Sequence, residues 1–187
     1  INNQGTIRLD QGLTITKAGA VHHNTDSIII NSGKTLTFNQ GNFNYDGGSI
    51  SGTGILKFNN GATYTVNTAN IPSIIKTTFT SSTLAAPSLI TNLGNLQFIN
   101  NNSITANLKN GATGIIQISN QTNSMSGNLT TVAGSKLSID CDSYYSDLTI
   151  DSGFVNNGTI ELDALNGNYS SSLTINNRTL TNNPNGT

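Results

Sequence analysis

Apolar residues along the chain fall in short clusters in which they alternate with hydroxyl side chains. Thr35-Leu-Thr-Phe38, Gly54-Ile-Leu-Lys-Phe58, Thr63-Tyr-Thr-Val66, Lys136-Leu-Ser-Ile139 and Asp147-Leu-Thr-Ile150 each run four to five residues. Each is followed within a few residues by Gly, Asn or Asp, the residues that close a strand in a turn. A period of two places Leu, Ile and Phe on one side of an extended segment and Thr, Lys and Ser on the other. No window keeps the three-and-four spacing of an amphipathic helix. The pattern predicts an all-β protein of many short strands.

Near-copies of two phrases decide between a sandwich and a solenoid. Asn2-Asn-Gln-Gly-Thr-Ile-Arg-Leu-Asp10 returns as Asn156-Asn-Gly-Thr-Ile-Glu-Leu-Asp163. A second phrase joins a small residue and Gly to a strand in Ser32-Gly-Lys-Thr-Leu-Thr-Phe38, Asn60-Gly-Ala-Thr-Tyr-Thr-Val66 and Ala133-Gly-Ser-Lys-Leu-Ser-Ile139. Hairpin-linked sandwich strands have no need of such copies, whereas stacked coils repeat their corners and faces. The expected fold is a single-stranded parallel β-helix, a β-solenoid occupying residues 1–187 as one domain. At roughly 20 residues per coil it would hold about nine coils and, at about 4.8 Å per coil, reach about 43 Å. Thr68 to Ser88, with Pro72 and Pro87, departs from the phrasing and is expected to leave the coil as an irregular excursion.

Composition supports this picture. Hydrophobic residues are 34% and charged residues 9% of the 187, against about 25% charged in ordinary soluble domains. Amides, hydroxyls and Gly take the place of charge, and Asn tolerates left-handed corners and stacks its amides between coils. Clustered β-branched residues such as Ile28-Ile29-Ile30, Ile74-Ile75 and Ile115-Ile116 argue for order over disorder. Net charge is -1 and the eight Lys and Arg are scattered, so the basic stripe that nucleic acid requires is missing. No apolar run approaches the roughly 20 residues of a spanning helix, so membrane insertion is not expected. A single cysteine, Cys141, rules out an intrachain disulfide and reads as a small core residue. Scarce charge with abundant Asn and Thr suits a secreted or cell-surface protein.

The two ends share one phrase: Thr179-Leu-Thr-Asn-Asn-Pro-Asn-Gly-Thr187 runs on naturally into Ile1-Asn-Asn-Gln-Gly-Thr-Ile7. Neither resembles a cap, so the expected partner is another copy stacked end to end, covalently in an array or as separate subunits.

Gly47-Gly-Ser-Ile-Ser-Gly-Thr-Gly-Ile-Leu-Lys-Phe-Asn-Asn-Gly-Ala-Thr-Tyr-Thr-Val66 and Phe154-Val-Asn-Asn-Gly-Thr-Ile-Glu-Leu162 resemble large bacterial exoproteins, the filamentous-haemagglutinin-like adhesins and autotransporter passenger domains. The resemblance implies a right-handed parallel β-helix on a bacterial surface, contacting host cells, other bacteria or biofilm matrix.

Candidate chemistry is sparse, and no catalytic constellation emerges; the expected role is not enzymatic. Asp140 and Asp142, with Asp147 and Asp151, form the densest acidic group, and hard oxygen ligands of this kind suit Ca²⁺; a solvated polar turn is the competing reading. Asp140, Asp142 and Asp147 are the candidate ligands. Tyr144 and Tyr145 beside them, with Tyr169, are the candidate glycan contacts, because aromatic faces stack on sugar rings. His22 and His23 are adjacent, so a strand would turn one inward and one outward, a poor chelate. Thr14-Ile-Thr16, Thr35-Leu-Thr37 and Thr63-Tyr-Thr65 repeat a hydroxyl pair that, stacked on one flat face, could order water as ice-binding solenoids do; their unequal separations argue instead for ordinary outward strand residues. The expected function is an extracellular structural or adhesive fibre segment, one unit of a longer array or head-to-tail filament; the alternative is a carbohydrate-binding or calcium-stabilised module of a surface adhesin.

Overall fold

A computed structural model describes residues 1–72, 75–164 and 167–187. Its strands are all parallel to their neighbours in the stack, and among the described residues there is no helix. Three faces wind into a β-solenoid. One is an unbroken nine-stranded sheet and the second an eight-stranded sheet. The third is divided into Ile7–Leu9 with Ser27–Ile30 and Ser49–Gly52, then Ile90–Asn92 with Leu108–Asn110 and Leu129–Thr131, then Phe154–Asn156 with Leu180–Asn182.

There are about eight turns, and the ninth is represented by Ser171–Ile175 and Leu180–Asn182. The count is lower than expected because the coil is not uniform: paired positions are 18 residues apart at Asn92 and Asn110 but 26 at Asn156 and Asn182.

The interior is built of ladders. On the eight-stranded face Phe38, Phe58, Phe79 and Phe98 pair in register, followed by Ile118 and Ile139. Their rings stack at centroid separations of 5.5, 5.3 and 4.7 Å. Phe43 and Tyr64 enter from the nine-stranded face and lie 4.4 Å from Phe38 and 4.7 Å from Phe58 respectively. Stacked aromatic pairs add about 0.5–1.5 kcal/mol each beyond the area they bury. This column gives a thin rod a continuous core.

Corners are the places where a parallel coil leaves backbone groups unpaired. Buried Asn side chains meet that need. Asn92 donates to Asn110 Oδ1 at 2.9 Å, and Asn110 donates to the Lys136 carbonyl at 2.9 Å. Further along, Thr131 Oγ1 donates to Asn156 Oδ1 and Asn156 Nδ2 to Asn182 Oδ1, both at 2.9 Å. Asn3 with Asn24, and Asn102 with Asn123, repeat the arrangement at 2.8 Å. After the strands of the eight-stranded face the chain turns through left-handed residues: Gln40, Asn60, Ser81, Asn100 and Asn120 all have positive φ.

The excursion expected over residues 68–88 is largely absent. Lys76–Thr80 pairs residue for residue with Ile55–Asn59 and Asn95–Ile99, and Thr83–Ala85 continues the nine-stranded face. Pro72 and Pro87 lie outside the strands, at corners, where no ladder N–H is needed. Among the described residues the irregularity lies on the third face, where the bridge from Asn70 to Thr91 replaces a strand pair. Of the Ile74-Ile75 cluster, Ile75 is buried and Ile74 lies outside the described residues.

The two repeated phrases prove to encode corners, not faces. Asn3 and Asn156 play the same part at two different corners, each accepting the N–H of the glycine two residues on, Gly5 or Gly158. The strands that follow nevertheless belong to different faces: Ile7–Leu9 to the third and Thr159–Ala164 to the eight-stranded sheet. In the second phrase Gly33, Gly61 and Gly134 all take positive φ. The strand after Gly61 joins the nine-stranded face and the strands after Gly33 and Gly134 the eight-stranded one.

Candidate functional site

At the corner between the eight- and nine-stranded faces, the last coils carry extra residues. The offset between paired positions is 20 from Asn101 to Gln121 but 25 from Asp147 to Ser172. The added length in the corner after Lys136–Cys141 carries Tyr144 and Tyr145, and the one after Thr159–Ala164 carries Tyr169.

Tyr144 precedes Ser146 by two residues and Tyr169 precedes Ser171 by two, and Ser146 pairs with Ser171. The two tyrosines therefore hold equivalent places in successive coils. Their rings lie 6.1 Å apart at 37°. Tyr144, Tyr145 and Tyr169 are 54%, 45% and 44% exposed, among the largest apolar exposures on the molecule. Bonds to backbone carbonyls anchor the loops beneath them. Gln121 N donates to the Tyr145 carbonyl at 2.6 Å, Ser146 N to the Ser170 carbonyl at 3.0 Å, and Cys141 Sγ to the Tyr169 carbonyl at 3.2 Å. The sulfur itself is buried, as expected of a core residue.

The acidic residues beside this ridge do not converge. Asp140 stands on the eight-stranded face, where it accepts from Gln117 Nε2 at 3.0 Å and Ser138 Oγ at 2.7 Å. Asp147 stands on the nine-stranded face and accepts from Ser172 Oγ at 2.5 Å. Asp142 lies on the exposed turn between them. Among the described residues no three His, Cys, Asp or Glu side chains are grouped to hold a metal. The calcium expectation therefore lacks its geometry: the corner turns Asp140 and Asp147 onto separate faces, and hydroxyl and amide donors already engage both.

His22 and His23 divide as expected, one buried and one turned outward. Burial lowers the His22 imidazole below 6.5, helped by the nearby positive charges, and its ring continues the aromatic column 5.5 Å from Phe38. His23 Nδ1 meets Asp46 Oδ2 at 2.6 Å. Burial alone would push the Asp46 carboxyl up, but hydrogen bonds from His23 and Asn67 and the His23 charge outweigh it and hold the group below 3.8.

Sequence reading named the three tyrosines but missed that two of them form a pair, because their 25-residue separation departs from the coil length expected. It also missed an open cleft of about 430 Å³ on the third face, lined by Gly153, Phe154, Val155, Arg178, Thr179 and Thr181. Nothing in the local pattern around Arg178 distinguishes it from the other scattered cations.

No protein-family model matches this chain, and no curated protein or solved structure is measurably similar to it.

Proposed function

We propose that this chain is a structural and adhesive rod segment of a secreted or cell-surface protein, one unit of a longer tandem array or of a filament of copies stacked end to end. The observation that carries this reading is the one-to-one parallel register kept through the turns of the nine-stranded face. Such a stack fixes outward side chains at about 4.8 Å intervals along a stiff axis, and weak contacts repeated on a rigid support gain strength by avidity. The resemblance of Gly47–Val66 and Phe154–Leu162 to bacterial exoprotein adhesins agrees with it. Electron microscopy and fibre diffraction of the native material test it. Straight filaments longer than a single rod, with an axial cross-strand repeat, are expected. Compact particles no longer than one rod would overturn the array.

A second reading concerns the tyrosine ridge, which offers two exposed aromatic faces in adjacent coils to a polysaccharide chain. Glycan-array binding by the wild-type chain, lost in Tyr144→Ala/Tyr169→Ala with melting unchanged, is the expected result. Equal binding by both proteins would remove the ridge from consideration.

A further inference from the structure

The outer surface of the nine-stranded face carries a rank of hydroxyls that no single stretch of sequence displays. Thr63, Thr83, Ser103, Ser124, Thr149 and Thr174 pair in register, one per coil over six consecutive coils. The first five point away from the core, their strand neighbours Tyr64, Leu84, Ile104, Met125, Leu148 and Ile150 pointing in, and Thr174 is exposed between half-buried Leu173 and Ile175. Two residues along, Thr65, Ala85, Thr105 and Ser126 form a second rank beside the first. The hydroxyls of Thr63, Thr83, Ser103, Thr149 and Thr174 have no partner among the described residues. Ser124 and Thr105 reach a backbone carbonyl only at 3.5 and 3.4 Å. Nearly all of the array is therefore available to solvent.

We infer that this face binds ice. Along the rank the hydroxyls recur at about 4.8 Å, the strand spacing, and between ranks at about 6.7 Å, two residues of strand. Both repeats lie near the oxygen repeats of hexagonal ice, so successive bound waters can take lattice positions instead of the scattered ones around an ordinary polar surface. A hydroxyl can donate and accept at once, as each lattice water does. The branched Thr side chain is stiff at χ1, and the paired backbone holds the rank in register, so little freedom remains to be lost on binding.

Charge points the same way over the first four coils. The two ranks carry no charged residue from Thr63 to Ser126; Asp147 and Asp151 enter only in the next coil, on either side of Thr149, whereas the outward positions of the eight-stranded face include Lys57, Lys76, Lys136 and Glu161. A neutral hydroxyl lattice complements an uncharged solid and offers nothing to a polyanion or polycation. The Thr-x-Thr spelling in the sequence does not locate this surface. Thr14-Ile-Thr16 and Thr35-Leu-Thr37 belong to the eight-stranded face, and Ser replaces Thr in two coils of the true rank.

Thermal hysteresis and ice-crystal shape, measured on the whole chain in a nanolitre osmometer, test the assignment. Faceted crystals and a gap between melting and growth are expected. Ser103→Lys and, separately, Thr63→Lys should abolish the gap while leaving circular dichroism and melting unchanged. Gln97→Lys, at the centre of the eight-stranded face, should retain it. Rounded crystals that grow without a gap at millimolar chain would overturn the inference, as would equal loss in Gln97→Lys. These outcomes are independent of the filament and glycan tests, so either reading can fail without the other.

Discussion

Tyr64 sits in the middle of the aromatic column with its ring fully buried and its hydroxyl without a hydrogen-bond partner. Burial, with a smaller contribution from Tyr45, drives the phenol well above its usual range, so it stays neutral. A buried donor left unmade costs about 1–3 kcal/mol. Tyr64→Phe should accordingly raise stability by about 1 kcal/mol in urea titration, and a loss of stability would reveal a role for the hydroxyl. Asp46 gives the opposite kind of signal. Its folded pKa lies below the 3.8 of the free group, so the unfolded chain takes up the proton first as pH falls. The stabilisation is complete above the unfolded value and disappears as pH falls through the folded one. Wild type should therefore lose stability relative to Asp46→Asn on acidification through that range; a difference independent of pH would contradict the assignment. The residue types themselves were readable from sequence: Asn and Gly at corners, Leu, Ile and Phe inward. The tyrosine ridge was half readable, since exposure of Tyr144, Tyr145 and Tyr169 follows from their polar surroundings but the Tyr144–Tyr169 pairing does not.

Strands of two to six residues are too short to stand alone, and each is held by the strands stacked beside it. The corner Asn residues join these layers by bridging from one coil to the next. Asn110 shows how much such a bridge carries, because it accepts from Asn92 and donates to the Lys136 carbonyl two coils apart. Asn110→Ala would remove both bridging bonds from the buried corner, leaving Asn92 only its Ile115 and Gly94 partners, and a loss of about 2 kcal/mol is expected in chemical denaturation. Asn176→Ala, which removes a surface bond to Asp151, should change stability by less than about 0.5 kcal/mol. Equal effects would show that the inward ladder is not a stabilising element. Strand positions were predicted closely: Thr63–Val66 matches to the residue, and Lys136–Cys141 and Ser146–Ile150 extend their predicted cores by one or two residues. The 68–88 segment was misjudged because prolines at corners read, in sequence, like breaks in the coil.

In a stack of this kind a coil touches only its neighbours, and local stability follows local burial. The coils holding Phe38, Phe58, Phe79 and Phe98 have the densest interior, whereas Thr159–Ala164 and Leu180–Asn182 are largely exposed. Amide hydrogen exchange should be slowest in Thr35–Asn39, Ile55–Asn59 and Lys76–Thr80 and fastest in those last two strands. Uniform protection along the rod would show that the solenoid opens as one cooperative unit. The sequence by itself determined the strand type, the solenoid class and the inward side of the Leu, Ile and Phe residues in the strands, because a period of two and the corner chemistry of Asn and Gly are local properties; it did not show that Thr78 and Ser138 are buried beside them. Only the tertiary structure decided which face each strand joins, and hence which outward residues become neighbours. Coil offsets that range from 18 to 26 residues are set by how corners pack, and a change of a few residues at one corner moves a tyrosine or a hydroxyl onto, or out of, a shared rank.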